Sequence, residues 1–294
     1  MLDQATSYMH EVDSSYARPI VTRTYNSSWM MFDAHLYPGG SWRLHMLRTL
    51  LGDAAFWRGV QAYVATYLGK VVETEQFRQC LEEASGRNLH RFFDEWIYGK
   101  GYPVLSVEYE HNTENHTVKL TVSQTQPADH TTFSIAVPIS IAVELADGKT
   151  TRTIDVVVDL TEPHHQRKGI TVVALPADSK PKTVKVDPDM TLLLSLGEFN
   201  PGEDILTNTL NDTSTSDVVS RVRAIASLAK TGTSTAIEAI RKAAKSEPFF
   251  GVRIKAAEAL AAMQSNFALQ VLAELLDNEQ DPMALWEIGI TAHA

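Results

Sequence analysis

The stretch FFDEWIYGKGYPV, residues 92–104, decides the fold because it contains the change from helical to extended sequence. Its first half carries apolar residues at helical spacing, and the glycines at positions 99 and 101 end that pattern. Directly after Pro103 the apolar residues alternate with polar ones, which is the period of a β-strand. The sequence therefore predicts a helical region before this point and a β-rich region after it.

The residues up to 101 predict a small bundle of helices. Gly52 and Gly86 each follow an apolar stripe and are predicted to end helices. Asp53 is predicted to be the N-cap of the helix that follows it, and Thr74 is predicted to cap the next helix. One face of the helix after Asp53 is predicted to be apolar, formed by Phe56, Val60, Tyr63, Val64 and Tyr67.

Residues 102–197 predict a β-sandwich. Short β-branched runs alternate in polarity and end in turn signals, and about seven such runs suit a two-sheet sandwich. The segment ADGK at 146–149 predicts a hairpin turn, because Asp-Gly tolerates positive φ at low cost.

Residues 198–294 predict a HEAT-like α-solenoid. The polar stretch 208–216 is interpreted as a connection, and helices are predicted over 217–228, 236–245 and 252–260. The tripeptides VRA at 222–224 and VRI at 252–254 recur about thirty residues apart, a spacing typical of helix-pair repeats. Trp286 and Ile288 keep the end of the chain apolar, so we expect the solenoid to be truncated.

The composition narrows the classes of function. A formal net charge of −10 argues against a nucleic-acid-binding protein, which needs a basic face. No apolar run is long enough for a membrane-spanning helix, and the N-terminal residues lack the pattern of a signal peptide. The single Cys80 is interpreted as a packed core residue and suits a reducing compartment, so a cytoplasmic location is expected.

Tyr37 is the candidate for chemistry. The segment YPGG at 37–40 opens a predicted helix, and a phenol placed there could donate a hydrogen bond to an oxyanion. In a dry site such a donor is worth about 3–4 kcal/mol in the transition state. The alternative is a tyrosine that only packs at a helix N-terminus, with Pro38 at the first helical position.

Several segments, taken in order, resemble the gluzincin aminopeptidases of the M1 family. The matching segments are RPIV at 18–21, FDAHLYPGG at 32–40, LLGDAAFW at 50–57, EASGRNL at 83–89 and FFDEW at 92–96. The segment FFGVRIKAAEAL at 249–260 is similar to the helical repeats near the end of bacterial members.

The resemblance implies a multidomain α+β fold. Residues 1–101 would be the C-terminal helical part of a thermolysin-like catalytic domain, 102–197 a β-sandwich and 198–294 a HEAT-like repeat domain. It also implies a zinc metallo-aminopeptidase that hydrolyses N-terminal residues from peptides, with Tyr37 as the oxyanion-stabilising phenol and substrate-binding residues unknown. The family usually reads Tyr-Glu-Lys-Gly at this tyrosine, whereas this chain has Pro38 and Gly39 in the middle positions.

Zinc in this family is held by HExxH and a further Glu, all N-terminal to the tyrosine. The resemblance therefore puts the ligands of the intact parent before Met1. The nearest match in the chain is HEVDS at 10–14, where Ser14 stands in place of the second His, and we interpret it as a coincidence on a solvated helix. We expect this chain to hold no metal, to be inactive alone and to partner the missing N-terminal catalytic half.

Two other interpretations stay open. A non-catalytic scaffold or interaction protein could use the same M1-like architecture, and a free-standing adaptor could begin at Met1. Among the histidines, His35 is a candidate for lining a cleft near Tyr37, and His45 is interpreted as a packing or surface residue. His164 and His165 are interpreted as part of a surface loop.

Overall fold

The computed structural model describes residues 1–162, 167–213, 217–263, 273–274, 277 and 281–285. The N-terminal part is helical, with α1 (Leu2–Ser14), a 3-10 turn (Ser28–Met31), α2 (Tyr37–Leu51), α3 (Asp53–Tyr67), α4 (Thr74–Ser85) and α5 (His90–Trp96). The strands follow as β1 (Val104–Asn112), β2 (Thr117–Gln124), β3 (Ile135–Glu144), β4 (Thr151–Leu160), β5 (Lys168–Ala174), β6 (Lys180–Val186) and β7 (Ser195–Phe199). After the strands, the described residues form the helices α6 (Glu203–Asn211), α7 (Val218–Thr231), α8 (Ser234–Ser246) and α9 (Phe250–Ala262). The predicted order of helices, strands and helices is confirmed.

Helix ends agree with the glycine signals but not with the predicted caps. Gly52 follows α2 with φ of 76°, and Gly86 ends α4 in the left-handed conformation with φ of 69°. Asp53 is the first residue of α3 and not its N-cap, because its carboxylate is bonded to Arg48. The N-cap of α4 is Glu73, not Thr74, and its N–H donates to the Gln76 side chain at 2.8 Å.

The later helices of the N-terminal part share a small apolar core, formed by Leu47, Phe56, Leu81, Leu89, Phe93 and Ile97. The predicted stripe of α3 is only partly buried, since Val64 remains 50% exposed. Gly59, which is not part of the predicted stripe, makes the close contact with α4. A Cβ at position 59 would lie 2.8 Å from Leu81 Cδ2.

Residues 10–14 are helical, as predicted, and His10, Asp13 and Ser14 are exposed, whereas Val12 is buried. α1 is amphipathic, and it buries Ala5, Tyr8 and Val12 against the rest of the molecule. These side chains join Trp42 and Met46 of α2 in the apolar cluster that continues into the strands. The first two helices are therefore fixed against the β-region as well as against each other.

The strands form two sheets, in the orders β5-β2-β1-β7 and β4-β3-β6. β1 pairs antiparallel with β2 and parallel with β7, while β3 pairs antiparallel with both neighbours. Alternate residues of β3 point into the core, as its sequence predicted. Gly148 has φ of 64° in the β3–β4 hairpin, which confirms the turn predicted from Asp-Gly.

The last described helices include one that the sequence did not predict. α6 covers Glu203–Asn211, so part of the stretch taken as a connection is helical. Its low-propensity polar residues are offset by the buried side chains of Ile205, Leu206 and Leu210. α6 packs on α7, and α9 packs on both α7 and α8.

The parts of the chain contact one another closely. The Trp96 and Phe133 rings lie 4.2 Å apart between α5 and the β-region, and His45 Nε2 lies 2.8 Å from the Met190 carbonyl oxygen. The division into three domains at 101 and 197 stays a prediction. Among the described helices, none combines the length and the apolar character needed to span a membrane. Trp286, Ile288, His164 and His165 lie outside the described residues.

Candidate active site

Tyr37 is the first residue of α2, and its side chain is 61% exposed. Its hydroxyl makes no hydrogen bond to any residue that the structure describes, whereas its ring lies 6.2 Å from that of Phe32 between centroids. Phe32 in turn lies 5.5 Å from Trp29, and both of these rings are exposed. The Tyr37 side chain is therefore accessible from the surface, and its ring also lies beside Phe32 at the start of α2.

The turn before Tyr37 is held by Asp33. Its Oδ1 atom accepts the Leu36 N–H at 3.0 Å, and its backbone carbonyl accepts the Tyr37 N–H at 3.4 Å. A carboxylate at this place satisfies an N–H group that the helix itself leaves unpaired. The start of α2 is thereby fixed by a residue four positions before the tyrosine.

Asp33 is itself held by Arg18. The guanidinium donates twice, with Nε to Oδ2 at 2.8 Å and Nη2 to Oδ1 at 2.6 Å, and the Tyr16 hydroxyl donates to Oδ2 at 2.8 Å. Burial disfavours the ionised Asp33, but the hydrogen bonds from Arg18 and Tyr16 outweigh it, so the pKa of Asp33 lies below its ordinary value. The carboxylate is thus charged and fully engaged near neutral pH.

A second arginine, Arg43, contacts the first turn of α2 from the interior of the molecule. Arg43 is 2% exposed, and its guanidinium donates to the carbonyl oxygens of Gly39 at 3.1 Å and Trp96 at 3.1 Å. It also donates to the Tyr8 hydroxyl at 2.8 Å and lies over the Tyr8 ring, 4.3 Å from the centroid. These contacts connect α2 to α1 and to the end of α5.

His35 does not line a cleft beside Tyr37, contrary to the sequence interpretation. Its side chain is fully buried, stacked on Tyr16 at 5.1 Å and in edge contact with Tyr8 at 5.4 Å. Burial is the main cause that lowers the pKa of His35 below its ordinary value. The His35 imidazole is therefore a neutral, buried group that packs on Tyr16 and Tyr8.

Glu11, Asp33 and His35 bring three possible metal-ligand atoms within 4.8 Å of one another. The Asp33 carboxylate already accepts from Arg18, Tyr16 and Leu36, and Glu11 Oε2 accepts the Ala34 N–H at 2.6 Å. His35 Nδ1 has no hydrogen-bond partner among the described residues and lies 3.4 Å from Asp33 Oδ2. The guanidinium of Arg18 also supplies positive charge beside these carboxylates. The group is better explained as a hydrogen-bonded charge cluster than as a cation site.

Comparison with known proteins identifies this part of the chain. Residues 1–96 match the sequence model of the peptidase family M1 domain. We refer to residues 1–96 as the M1 region, and residues 203–289 match the model of HEAT repeats.

Curated relatives of the chain are aminopeptidases. It is 34% identical over 116 residues to aminopeptidase N of Haemophilus influenzae, covering 38% of this chain and 13% of that protein. It is 39% identical over 84 residues to aminopeptidase N of Lactococcus lactis subsp. lactis, covering 28% of this chain and 10% of that protein. The alignment with aminopeptidase N of Escherichia coli K12 has 33% identity and covers 32% of this chain and 11% of that protein. The chain thus spans only a small part of the length of these relatives.

A solved structure shares the fold. A crystal structure of Legionella pneumophila aminopeptidase A in complex with aspartic acid superposes with a TM-score of 0.58 at 16% sequence identity. The match covers 94% of this chain and 31% of that chain. The helical, β-sandwich and helical-repeat order predicted from the sequence is therefore an architecture found in a known aminopeptidase.

The near match at 10–14 does not have the arrangement of the family's zinc motif. In the near match at 10–14, His10 is exposed, and the Ser14 hydroxyl donates to the His10 carbonyl oxygen at 2.6 Å. Glu11, between them, is turned toward the N–H group of Ala34. These residues do not fit a zinc site.

Sequence reasoning singled out Tyr37 but missed the residues that hold it. Arg18 and Asp33 both lie in segments that resemble the M1 family, yet nothing local indicates that they pair across fifteen positions. The large groove of about 870 Å³ elsewhere is lined only by residues between Ser140 and Val219, so it does not include Tyr37.

Proposed function

We propose that this chain is the C-terminal part of a zinc metallo-aminopeptidase of the M1 family, with Tyr37 as the phenol that stabilises the oxyanion. The observation that carries the proposal is the exposed Tyr37 at the start of α2, inside the M1 region, whose hydroxyl bonds to none of the described residues. The curated relatives, which are named aminopeptidases, support peptides as the substrate class.

The chemistry assigned to Tyr37 is hydrogen-bond donation. When a nucleophile attacks the carbonyl carbon of the first peptide bond, the carbonyl oxygen gains negative charge. The phenol O–H donates to that oxygen, and the interaction is stronger in the transition state than with the neutral carbonyl. The hydroxyl has no competing hydrogen-bond partner among the described residues.

The zinc of the proposed enzyme is held by residues that this sequence does not contain. No HExxH occurs in its 294 residues, and the residues at 10–14 do not form a substitute. We propose that an N-terminal catalytic half carries the ligands, and that this chain alone binds no zinc and hydrolyses no peptide.

The test compares two polypeptides made from the same gene. The chain of 294 residues and the longest polypeptide that its reading frame encodes are purified without chelators, and zinc content and aminoacyl-anilide hydrolysis are measured on both. The proposal predicts about one zinc per molecule and turnover only in the longer polypeptide. Turnover by the 294-residue chain, or a longest polypeptide without HExxH and without activity, contradicts it.

A second candidate function is a non-catalytic M1-like scaffold. It is favoured by Pro38 and Gly39, which replace the usual Glu and Lys beside the tyrosine, and by the match to HEAT repeats, whose stacked helices present extended binding surfaces. A folded, metal-free and inactive longest polypeptide would support this candidate over the peptidase.

The location and partners of the protein belong to the same proposal. The acidic net charge of −10 favours a peptide over a nucleic acid as the ligand, and the single, buried Cys80 suits a reducing compartment such as the cytoplasm. Cell fractionation with an antibody against the chain tests the location, and recovery in the membrane or extracellular fraction contradicts it.

A further inference from the structure

We infer that Asp33, held by Arg18, is the positioning residue that sets the direction of the Tyr37 phenol. The inference rests on the proposed role of Tyr37 and extends it to residues that touch no substrate.

Asp33 contacts the start of α2 on one side and the preceding loop on the other. Toward α2, Oδ1 accepts the Leu36 N–H at 3.0 Å, and the backbone carbonyl accepts the Tyr37 N–H at 3.4 Å. Toward the preceding loop, both carboxylate oxygens accept from Arg18, at 2.6 and 2.8 Å. The Asp33 side chain thus joins the loop to Leu36, and the Asp33 backbone carbonyl contacts Tyr37.

Arg18 is fixed independently of Asp33. Its Nη1 atom donates to the carbonyl oxygens of Pro19 at 2.7 Å and Ile20 at 3.1 Å, and its side chain is only 12% exposed. The loop is tied to the end of α5, where the Val21 N–H donates to the Ile97 carbonyl at 3.2 Å. The Arg18–Asp33 pair therefore fixes the start of α2 relative to the core of the molecule.

The turn is also held from α1. Glu11 Oε2 accepts the Ala34 N–H at 2.6 Å, so carboxylates bind the N–H groups of both Ala34 and Leu36. Negative charge at a helix N-terminus is favourable in itself, and here it fixes the geometry of the first turn.

Tyr37 depends on this turn because its hydroxyl has no partner of its own among the described residues. A phenol oxygen lies about 6.5 Å from its Cα, so a tilt of about 10° in the first turn moves it by about 1 Å. A displacement of that size is enough to lower a rate by about 100-fold. The carboxylate of Asp33 would therefore act on turnover through Tyr37.

The chain offers a matched control at the other end of α2. Arg48 and Asp53 form the same two-point pair, with both nitrogen–oxygen distances at 2.7 Å, but they are exposed and lie beyond the helix from Tyr37. Asp33→Asn keeps an oxygen for the Leu36 N–H while it weakens the pairing with Arg18, and Asp53→Asn makes the same chemical change remotely.

The first experiment uses the 294-residue chain and no activity. Tyrosine-ring 13C NMR and amide hydrogen exchange are measured for wild type, Asp33→Asn, Arg18→Lys and Asp53→Asn. We expect Asp33→Asn and Arg18→Lys to shift the Tyr37 ring signals and to speed exchange at Leu36, Gly39 and Gly40 by at least about 10-fold. Unchanged Tyr37 signals in folded Asp33→Asn and Arg18→Lys overturn the inference.

The second experiment is a double-mutant cycle on turnover in the longest polypeptide that the gene encodes. Asp33→Asn should lower kcat by about 10-fold or more with little change in KM, and should have no further effect in a Tyr37→Phe background. Asp53→Asn should leave kcat unchanged. An equal loss with and without the Tyr37 hydroxyl overturns the inference while the proposed function stands. A Tyr37→Phe variant that keeps full turnover overturns the proposed function instead, and the NMR result then decides the structural part alone.

Discussion

The ring of Tyr8 packs directly on the backbone of Gly39. A Cβ at position 39 would lie 2.9 Å from Tyr8 Cδ2 and 3.1 Å from the Arg43 guanidinium, closer than side chains ordinarily approach. A Cβ at Gly40 would meet nothing within 4 Å. The glycine that this chain carries in place of the usual lysine is therefore the one that the fold requires, and it lets α1 approach the start of α2.

Gly39→Ala should lower the free energy of unfolding by about 1–3 kcal/mol, because the buried Tyr8 ring has no room to move away. Gly40→Ala is the matched control and should be neutral or stabilising by up to about 1 kcal/mol, through the better helix propensity of alanine. Urea denaturation followed by circular dichroism measures both. Equal effects of the two substitutions contradict the packing described for Tyr8.

Arg43→Lys should destabilise the chain by about 2–4 kcal/mol even though it keeps the charge. An ammonium group cannot bond the separate carbonyl oxygens of Gly39 and Trp96 together with the Tyr8 hydroxyl, and buried acceptors are left unpaired. Arg91→Lys serves as the control: Arg91 pairs with Glu95 at 3.4 Å with its side chain 51% exposed, and its loss should cost less than about 1 kcal/mol. The same denaturation measurement applies, and a stable Arg43→Lys variant would show that Arg43 does not hold α2.

Stability should fall as the pH is lowered through the ordinary range of histidine, in part because of His35. Burial lowers the pKa of His35 below 6.5 in the folded chain, so between the two values the unfolded chain binds more protons and acid favours unfolding. The contribution is complete above pH 6.5 and is lost as the pH falls toward the lowered value. The groups that face His35 are Asp33, Glu11, Arg18 and Arg43, and the first two are carboxylates that partly offset the effect.

The measurement is the difference in unfolding free energy between two pH values on either side of 6.5. This difference should shrink in His35→Gln, whose side chain cannot take up a proton, and should be unchanged in His10→Gln, where the residue is exposed. A pH dependence that is the same in wild type and His35→Gln would mean that His35 is not buried as a neutral group.

Features set by neighbours in the sequence could be predicted. Gly52 and Gly86 end helices, and Asp147-Gly148 makes a turn, because each requirement is decided within a few residues. The cap of α4 was misplaced by one residue, since Glu73 and Thr74 are adjacent polar residues and the reciprocal bonds between Glu73 and Gln76 distinguish them.

Features set by distant contacts could not be predicted. α6 is stabilised by burial of Ile205, Leu206 and Leu210 and not by the propensity of its polar residues. The same holds at the candidate site. Tyr37 was proposed from the resemblance of its segment to the M1 family, but the contacts around it come from Arg18 and Tyr8, which lie nineteen or more positions away and carry no local signal of that role.

The central claim is tested most directly by the turnover number of the longest polypeptide that the gene encodes, with Tyr37 changed to Phe. Tyr25→Phe is the matched control, since Tyr25 is also exposed, at 54%, and makes no hydrogen bond to a described residue. If the Tyr37 hydroxyl stabilises the oxyanion, kcat for an aminoacyl anilide falls by about 100-fold or more in Tyr37→Phe and stays unchanged in Tyr25→Phe. An equal kcat for wild type and Tyr37→Phe would contradict the account.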